Sequence, residues 1–271
     1  MRTRSILGTR IHDLDLALGA RVTFVSDLHL DPAWPDKTDA FERIVGGMSG
    51  PEILIIPGDL FEFWLGRSQL RVDAWQRVPM LLEAASRRGV RSFVLHGNRD
   101  FQLGRAFERM SRAQVVRGGL LVRAEGRPRM VVMHGDELCT NDVAYQKSKR
   151  WLRSMPLKAL MHTTPYSWAR GLVARGRNAS KTSQKSRDPE SMLVSSAALD
   201  EVGARIDADL LFGHVHVAAS GPLGSTTHRY FVLPEFEASR CGHARWVVGD
   251  EPRLVLEGGE VPWPGPLDLS A

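Results

Sequence analysis

The chain has 271 residues, 43% hydrophobic and 25% charged, with a net charge of +5 at pH 7. Those proportions suit one large α/β domain or two small ones and exclude a disordered or collagen-like chain. The two cysteines, Cys139 and Cys241, exclude a disulfide framework and a zinc-finger spacing, and they fit a reducing, cytosolic compartment. The opening stretch MRTRSILGTRIHDLDLALGA holds no apolar run of signal-peptide length. No segment approaches the ~20 apolar residues of a membrane-spanning helix.

Residues 1–20 read as an extension with one short amphipathic turn around Ile11 to Leu18. Residues 22–26 form the first predicted strand, followed by Asp27-x-His29. A helix is predicted over 36–48, where Ala40, Phe41, Ile44 and Val45 recur at helical spacing before Gly50-Pro51. Residues 53–56 are apolar on both faces, as a central parallel strand should be, and lead into Gly58-Asp59. An amphipathic helix follows over 72–88, capped by Gly89, then a strand over 90–95 that ends in Gly97-Asn98-Arg99-Asp100. This alternation predicts βαβ units.

The alternation then stops. A short helix over 105–110 precedes strand-like runs at 115–116, 120–123 and 130–133, the last two predicted as a hairpin before His134-Gly135-Asp136. The chain therefore reads as a two-sheet core with helices outside. Between 142 and 188 eleven Lys and Arg residues occur without one Asp or Glu, interleaved with Trp151, Leu152, Leu160, Trp168 and Leu172. This segment, 143–187, reads as a helical insert whose basic face would attract phosphates or an anionic membrane surface, and whose apolar stripe could line an acyl groove. A solvated basic face on ordinary helices is the competing reading. Aromatic residues in a base-stacking arrangement are not evident, so no nucleic acid is expected as partner. A helix over 191–206 returns to the core, residues 210–212 lead to Gly213-His214-Val215-His216, and 229–233 and 245–248 read as closing strands. The tail 259–271 is proline-rich and reads as irregular.

Five polar clusters thus follow five apolar runs. Taken singly, Asp-x-His, Gly-Asp and Gly-Asn-Arg-Asp are weak signals at strand-end turns, and Gly-His-x-His is somewhat stronger. Ligands collect at the carboxyl ends of strands in open α/β sheets, so together they bring Asp27, His29, Asp59, Asn98, His134, His214 and His216 to one crevice. That donor set suffices for two metal ions sharing a carboxylate, with Asp59 as the natural bridge. Mixed Asp, Asn and His ligation suits manganese or another borderline-hard ion better than a thiolate metal. Arg99 cannot act as a general acid, because guanidinium stays protonated; its fork suits charge stabilisation.

The ordered clusters from Asp27 to His216 resemble those of the calcineurin-like metallophosphoesterases. HGNRDFQLGRAF (96–107), MHGDELCTNDVAYQ (133–146) and GDLFEFW (58–64) are similar to the UDP-2,3-diacylglucosamine hydrolases of lipid A biosynthesis. The resemblance implies an α/β (α+β) fold with a two-sheet β-sandwich core flanked by helices, built from 21–142 and 188–258, with 143–187 as a helical lid. It implies two divalent ions, with Mn2+ favoured: Asp27, His29 and His216 would complete one site around Asp59, and Asn98, His134 and His214 the other. Asp59, Asn98, Arg99, His134 and His214 would be catalytic. Asn98, Arg99, His214, Asp142, Ser180, Lys181 and Lys185 would contact a lipid-linked nucleotide diphosphate, at the cytoplasmic face of an anionic inner membrane, without an obligate protein partner. Two departures, Val217-Ala218-Ala219 for an Arg-Pro continuation and Gly66-Arg67-Ser68 for Gly-Asp-Asp, keep another lipid or nucleotide diphosphate open as substrate. A non-catalytic binding protein on the same core is the third reading.

Overall fold

The computed structural model describes residues 3–140, 194–267 and 269. Its strands form two seven-stranded sheets. The first runs β1 (Thr3–Ile6), β2 (Thr9–Asp15), β7 (Gly119–Ala124), β8 (Arg127–Val132), β9 (Asp209–Phe212), β11 (Arg229–Val232) and β10 (Ala219–Pro222). The second runs β14 (Gly259–Val261), β13 (Arg253–Leu256), β12 (His243–Val247), β3 (Arg21–Phe24), β4 (Ile53–Ile56), β5 (Arg91–Leu95) and β6 (Gln114–Val116).

The strands that are apolar on both faces explain the layering, because alternate side chains go to different cores. Ile53 and Ile55 of β4 join Phe24, Leu95, Val122, Met130, Leu211 and Phe231 between the sheets. Leu54 and Ile56 face outward onto Phe41, Leu82 and Phe107 of the helices α1 (Pro35–Gly46), α2 (Arg77–Arg87) and α3 (Arg105–Ser111). Across the first sheet, Val131, Leu210 and Phe212 pack on Leu199 and Val202 of α4 (Ser196–Arg205). The result is four layers, helix–sheet–sheet–helix, as the resemblance implies. Each fully buried Ile, Leu or Phe side chain contributes roughly 1.5–3 kcal/mol, so no layer can be dispensed with.

Strands β3, β4, β5 and β6 are parallel, as are β8, β9 and β11. Their carboxyl ends therefore open onto one edge, and all five clusters lie there. The predicted hairpin is β7–β8, turned by Glu125 (φ 50°) and Gly126 (φ 74°), the left-handed pair of a two-residue turn.

Three expectations are corrected. Residues 1–20 are not an extension: β1 and β2 form a hairpin, and β2 lies parallel to β7 from Ile11↔Gly119 to Asp15↔Arg123. Ile11 and Leu14 are three apart, the spacing of a helical turn, but in the strand they face opposite cores. The helix expected from 72 starts at Arg77, after two 3-10 turns at Gln69–Arg71 and Asp73–Trp75. Pro79 then falls in the first turn, where its missing N–H has no partner to lose. The tail is not wholly irregular, since β14 pairs with β13 and Trp263 packs on Phe231 with ring centroids 5.2 Å apart. The expected lid, 143–187, with Asp142 before it, lies outside the described residues.

The buried hairpin yields a test. Ile11 is 1% exposed, so Ile11→Ala should cost about 2–4 kcal/mol in denaturant unfolding. A loss below about 0.5 kcal/mol, the level of surface substitutions, would remove β2 from the core.

Candidate metal centre

Asp27 and His29 follow β3, Asp59 follows β4, Asn98 follows β5, His134 follows β8, and His214 and His216 follow β9. Asp27, His29, Asp59 and His134 are buried, while Asn98, His214 and His216 are half-buried at the opening. Asp27 (φ 52°), His29 (48°), Asp59 (51°), His214 (69°) and His216 (63°) all adopt the left-handed conformation. They are half of the ten non-glycine residues that do so among the described residues. Such a residue costs on the order of 1–3 kcal/mol and persists only where its surroundings impose it. Here backbone strain is concentrated on the predicted ligands.

The surroundings that impose it are hydrogen bonds between loops. Asp27 N–H donates to Gly58 O, His29 N–H to Asp59 O at 3.0 Å, and Gly213 N–H to His134 O at 2.9 Å. Asp59 Oδ1 accepts Arg99 N–H at 3.0 Å, and Asp27 Oδ2 accepts His214 N–H at 2.9 Å. Two glycines make this approach possible. A Cβ on Gly97 would meet the Asp59 carboxylate, and one on Gly213 would meet Asp27 Oδ2 and Ser26 Oγ.

Two groups of donor atoms each lie within 4.8 Å of one another: Asp27, His29 and His216, and Asp27, Asp59 and His134. His29 Nε2 and His216 Nε2 face each other at 3.4 Å, and His216 Nε2 is 3.5 Å from Asp27 Oδ1. Asp59 Oδ2 lies 3.8 Å from His134 Nε2 and 3.9 Å from His29 Nδ1. Asp27 is thus the member common to both groups, while the Asp59 carboxylate stands between the histidines. The His214 ring meets His134 edge-on, with centroids 5.0 Å apart.

The residues fit divalent ions. Asp27 Oδ1, Asn98 Oδ1 and His134 Nε2 are buried atoms with no hydrogen-bond partner among the described residues, in a class of atoms that is otherwise nearly always paired. The tautomers also suit ligation. His134 Nδ1–H donates to Pro57 O at 3.0 Å, which directs Nε2 toward Asp59. His216 Nδ1 is 3.2 Å from Glu235 Oε2, with Nε2 turned inward.

The site contains polar residues that the sequence reading did not single out. Asp100 is wholly buried; its Oδ2 accepts Leu60 N–H at 2.8 Å and its Oδ1 accepts Gly97 N–H at 3.0 Å, fastening the loops after β4 and β5 to each other. Glu62, 6% exposed, holds Arg99 Nη1 at 2.7 Å. Both stand inside the quoted motifs, and their polarity among apolar neighbours was the available signal. Glu235 had none, since only the placement of β11 beside β9 brings it to His216. Of the other expected site residues, Arg99 lies at the mouth with its side chain 38% exposed. Asp142, Ser180, Lys181 and Lys185 lie outside the described residues. A separate cleft of about 1440 Å³ between α1 and β12–β13 contains none of the predicted ligands; its lining mixes Arg43, Arg245 and Arg253 with Glu257 and Glu260.

The charges interlock. Burial pushes Asp59 up to about 7, helped by Asp100 and Asp27 and opposed by His134. Burial would also raise Asp27, but the His216, His134 and His29 imidazoles hold it well below the usual carboxylate range. Burial lowers His134 and His216, yet Asp59 and Asp136 raise the first to about 9, and Asp27 and Glu235 raise the second to about 10. Burial takes His29 to about 3, with Arg99 assisting, and His214 to about 4, with His134 assisting.

At pH 7 the metal-free cluster therefore carries protons on His134 and His216 and part of one on Asp59. The stability those imidazole protons contribute is full below pH 6.5 and is lost as pH rises through 9 to 10; that from the Asp59 proton is full below 3.8 and is lost through about 7. Ions need the same lone pairs, so loading Mn2+ at pH 7 should release about two protons per chain. Calorimetric titration in buffers of different ionisation heat measures this, and loading without proton release would place neutral imidazoles in the metal-free site.

Comparison with known proteins agrees with this geometry. The family description of the calcineurin-like phosphoesterases matches residues 20–218. An Azotobacter vinelandii protein named UDP-2,3-diacylglucosamine hydrolase is 35% identical over 195 residues, covering 71% of this chain and 80% of that one. A Pseudomonas fluorescens protein of the same name is 33% identical over 223 residues, covering 80% and 87%. Another, from Ralstonia nicotianae, is 38% identical over 148 residues, and the match spans 55% of its length. With the family match reaching across both sheets and every strand-end ligand, the chain belongs to the calcineurin-like phosphoesterase family.

Proposed function

We propose that the protein hydrolyses the diphosphate bond of UDP-2,3-diacylglucosamine, giving UMP and 2,3-diacylglucosamine 1-phosphate, as a step of lipid A biosynthesis. The observation that carries this is the convergence of unpartnered Asp, Asn and His donors at one strand edge with a guanidinium held at its mouth. The names of the relatives support the substrate.

Two divalent ions, Mn2+ on the donor chemistry, would be held by Asp59 together with Asp27, His29 and His216 on one side and Asn98, His134 and His214 on the other. When bound, such ions supply a nucleophilic water at neutral pH and neutralise phosphoryl oxygens. The chain does the rest. His214 and Asn98 orient the phosphoryl group in line for attack. Arg99 remains charged and lays its free N–H groups against the diphosphate, countering charge as the P–O bond breaks. Asp142 and the insert residues Ser180, Lys181 and Lys185 contact substrate, and the apolar stripe of 143–187 takes the acyl chains. Among the described residues no helix is long and apolar enough to cross a membrane. The protein reaches its lipid from the cytoplasmic face of the inner membrane as a peripheral enzyme.

A second reading, another lipid-linked or nucleotide diphosphate, is favoured by Val217, which stands 58% exposed beside His216 where the resemblance has arginine. The non-catalytic reading is disfavoured by the complete donor set.

Arg99→Ala should lower kcat about a hundredfold, the scale of one lost charge-stabilising donor, while metal content stays at two ions per chain. Loss of the ions together with activity would make Arg99 structural. Substrate identity is tested by kcat/KM for acylated and deacylated UDP-glucosamine at low and high salt. Four buried methylenes are worth about 3 kcal/mol, or roughly a hundredfold, and that preference should survive salt. Equal values would favour the second reading.

A further inference from the structure

Arg99 poses a problem for its own site. Its Nε is 3.7 Å from Asp59 Oδ2, the oxygen that also faces His134 and His29. A guanidinium that closed this distance would form a charge-assisted pair with the carboxylate placed to bridge the ions. Cation and metal would then compete for one oxygen.

We propose that Glu62 is the positioning residue that holds Arg99 off Asp59 and so keeps that carboxylate available to metal. The inference rests on the metallophosphoesterase reading but not on the identity of the substrate. Glu62 Oε1 takes Arg99 Nη1 at 2.7 Å, a full ångström closer than the guanidinium comes to Asp59. Its other oxygen is 3.6 Å from His29 Nδ1. The carboxylate is 6% exposed, so it must stay paired, and among the described residues Arg99 is a cation within hydrogen-bond range.

The loop that carries Glu62 cannot easily follow if Arg99 swings. Glu62 N–H donates to Leu30 O at 3.1 Å. Next to it Phe61 stacks on Trp64 at 4.6 Å and meets Phe107 edge-on at 5.9 Å. The Arg99 backbone is pinned as well, its N–H on Asp59 Oδ1 at 3.0 Å and its C=O accepting Trp64 N–H at 3.3 Å. Only the guanidinium has freedom, and Glu62 removes it. One edge of the fork is thereby held while the half-exposed remainder faces the crevice.

The inference makes an unusual prediction: removing Glu62 should weaken metal binding, and removing Arg99 as well should restore it. Mn2+ affinity is measured by titration of chelator-stripped protein, with metal-free melting temperature as the folding control. Glu62→Ala should lose about tenfold in affinity, the lower end of the range for a residue behind a ligand. Glu62→Ala/Arg99→Ala should return to within about threefold of the unmutated protein, an error-sized difference of roughly 0.7 kcal/mol. Glu62→Gln keeps a carbonyl oxygen for Nη1 and should retain most of the affinity. Should Glu62→Ala fail to fold, Glu62→Gln and Glu62→Gln/Arg99→Ala carry the same comparison with smaller amplitude. Equal losses with and without Arg99 would mean that Glu62 acts through His29 or through the fold, and overturn the proposal. Unchanged affinity in Glu62→Ala would overturn it too. No substrate enters this measurement, so a wrong substrate assignment cannot imitate either result.

Discussion

The site depends on two hydrogen bonds that cross from one sheet to the other. Asp27, at the end of β3 in the second sheet, accepts the His214 amide from the end of β9 in the first. His134, at the end of β8 in the first sheet, donates Nδ1–H to Pro57 O at the end of β4 in the second. An apolar interface between sheets is not directional and would tolerate sliding by fractions of an ångström. These two contacts are directional, and one has an ionised acceptor, a class worth roughly 1.5–3 kcal/mol. They set the ligands of the two sheets opposite one another, and the inter-sheet core supplies the area that keeps them there.

The left-handed backbone at five of the predicted ligands accompanies the same convergence. In an extended strand Asp27 and His29, or His214 and His216, would share one face and stand roughly 7 Å apart along it. With positive φ at each of them, the donor atoms of Asp27, His29 and His216 lie within 4.8 Å of one another. Gly97 and Gly213 then leave room for the two carboxylates, and Asp100 locks two of the loops from beneath.

Much of this was legible in the sequence because each ligand follows an apolar run and the runs have strand length. Ile53 to Ile56 announced a strand buried on both faces, and it divides its side chains between two cores as that pattern requires. Other features depend on contacts distant in sequence. β2 was hidden because Ile11 and Leu14 serve different cores, so neither face of the strand looks amphipathic on its own. Glu235 could not be found without knowing that β11 returns beside β9. The centre is also less simple than one bridging residue suggests: Asp27 belongs to both donor groups, and at the proposed bridge, Asp59, burial aided by Asp100 and Asp27 outweighs His134, whereas at Asp27 three imidazoles outweigh burial.

The outer shell repeats one device on both flanks. His29 and His216 point Nε2 at each other across 3.4 Å, and each turns Nδ1 toward a carboxylate that also holds a cation. On one side Glu62 stands between His29 and Arg99; on the other Glu235 stands between His216, at 3.2 Å, and Lys37, at 3.3 Å. The flanks differ in burial. Glu235 has 36% of its side chain exposed, so water screens its pairing with Lys37. Glu62 has 6%, and the lower local dielectric strengthens its hold on Arg99. The cations run the other way, with the Lys37 side chain 21% exposed and that of Arg99 38%. Arg99 therefore owes its position to the buried carboxylate beside it rather than to its own burial.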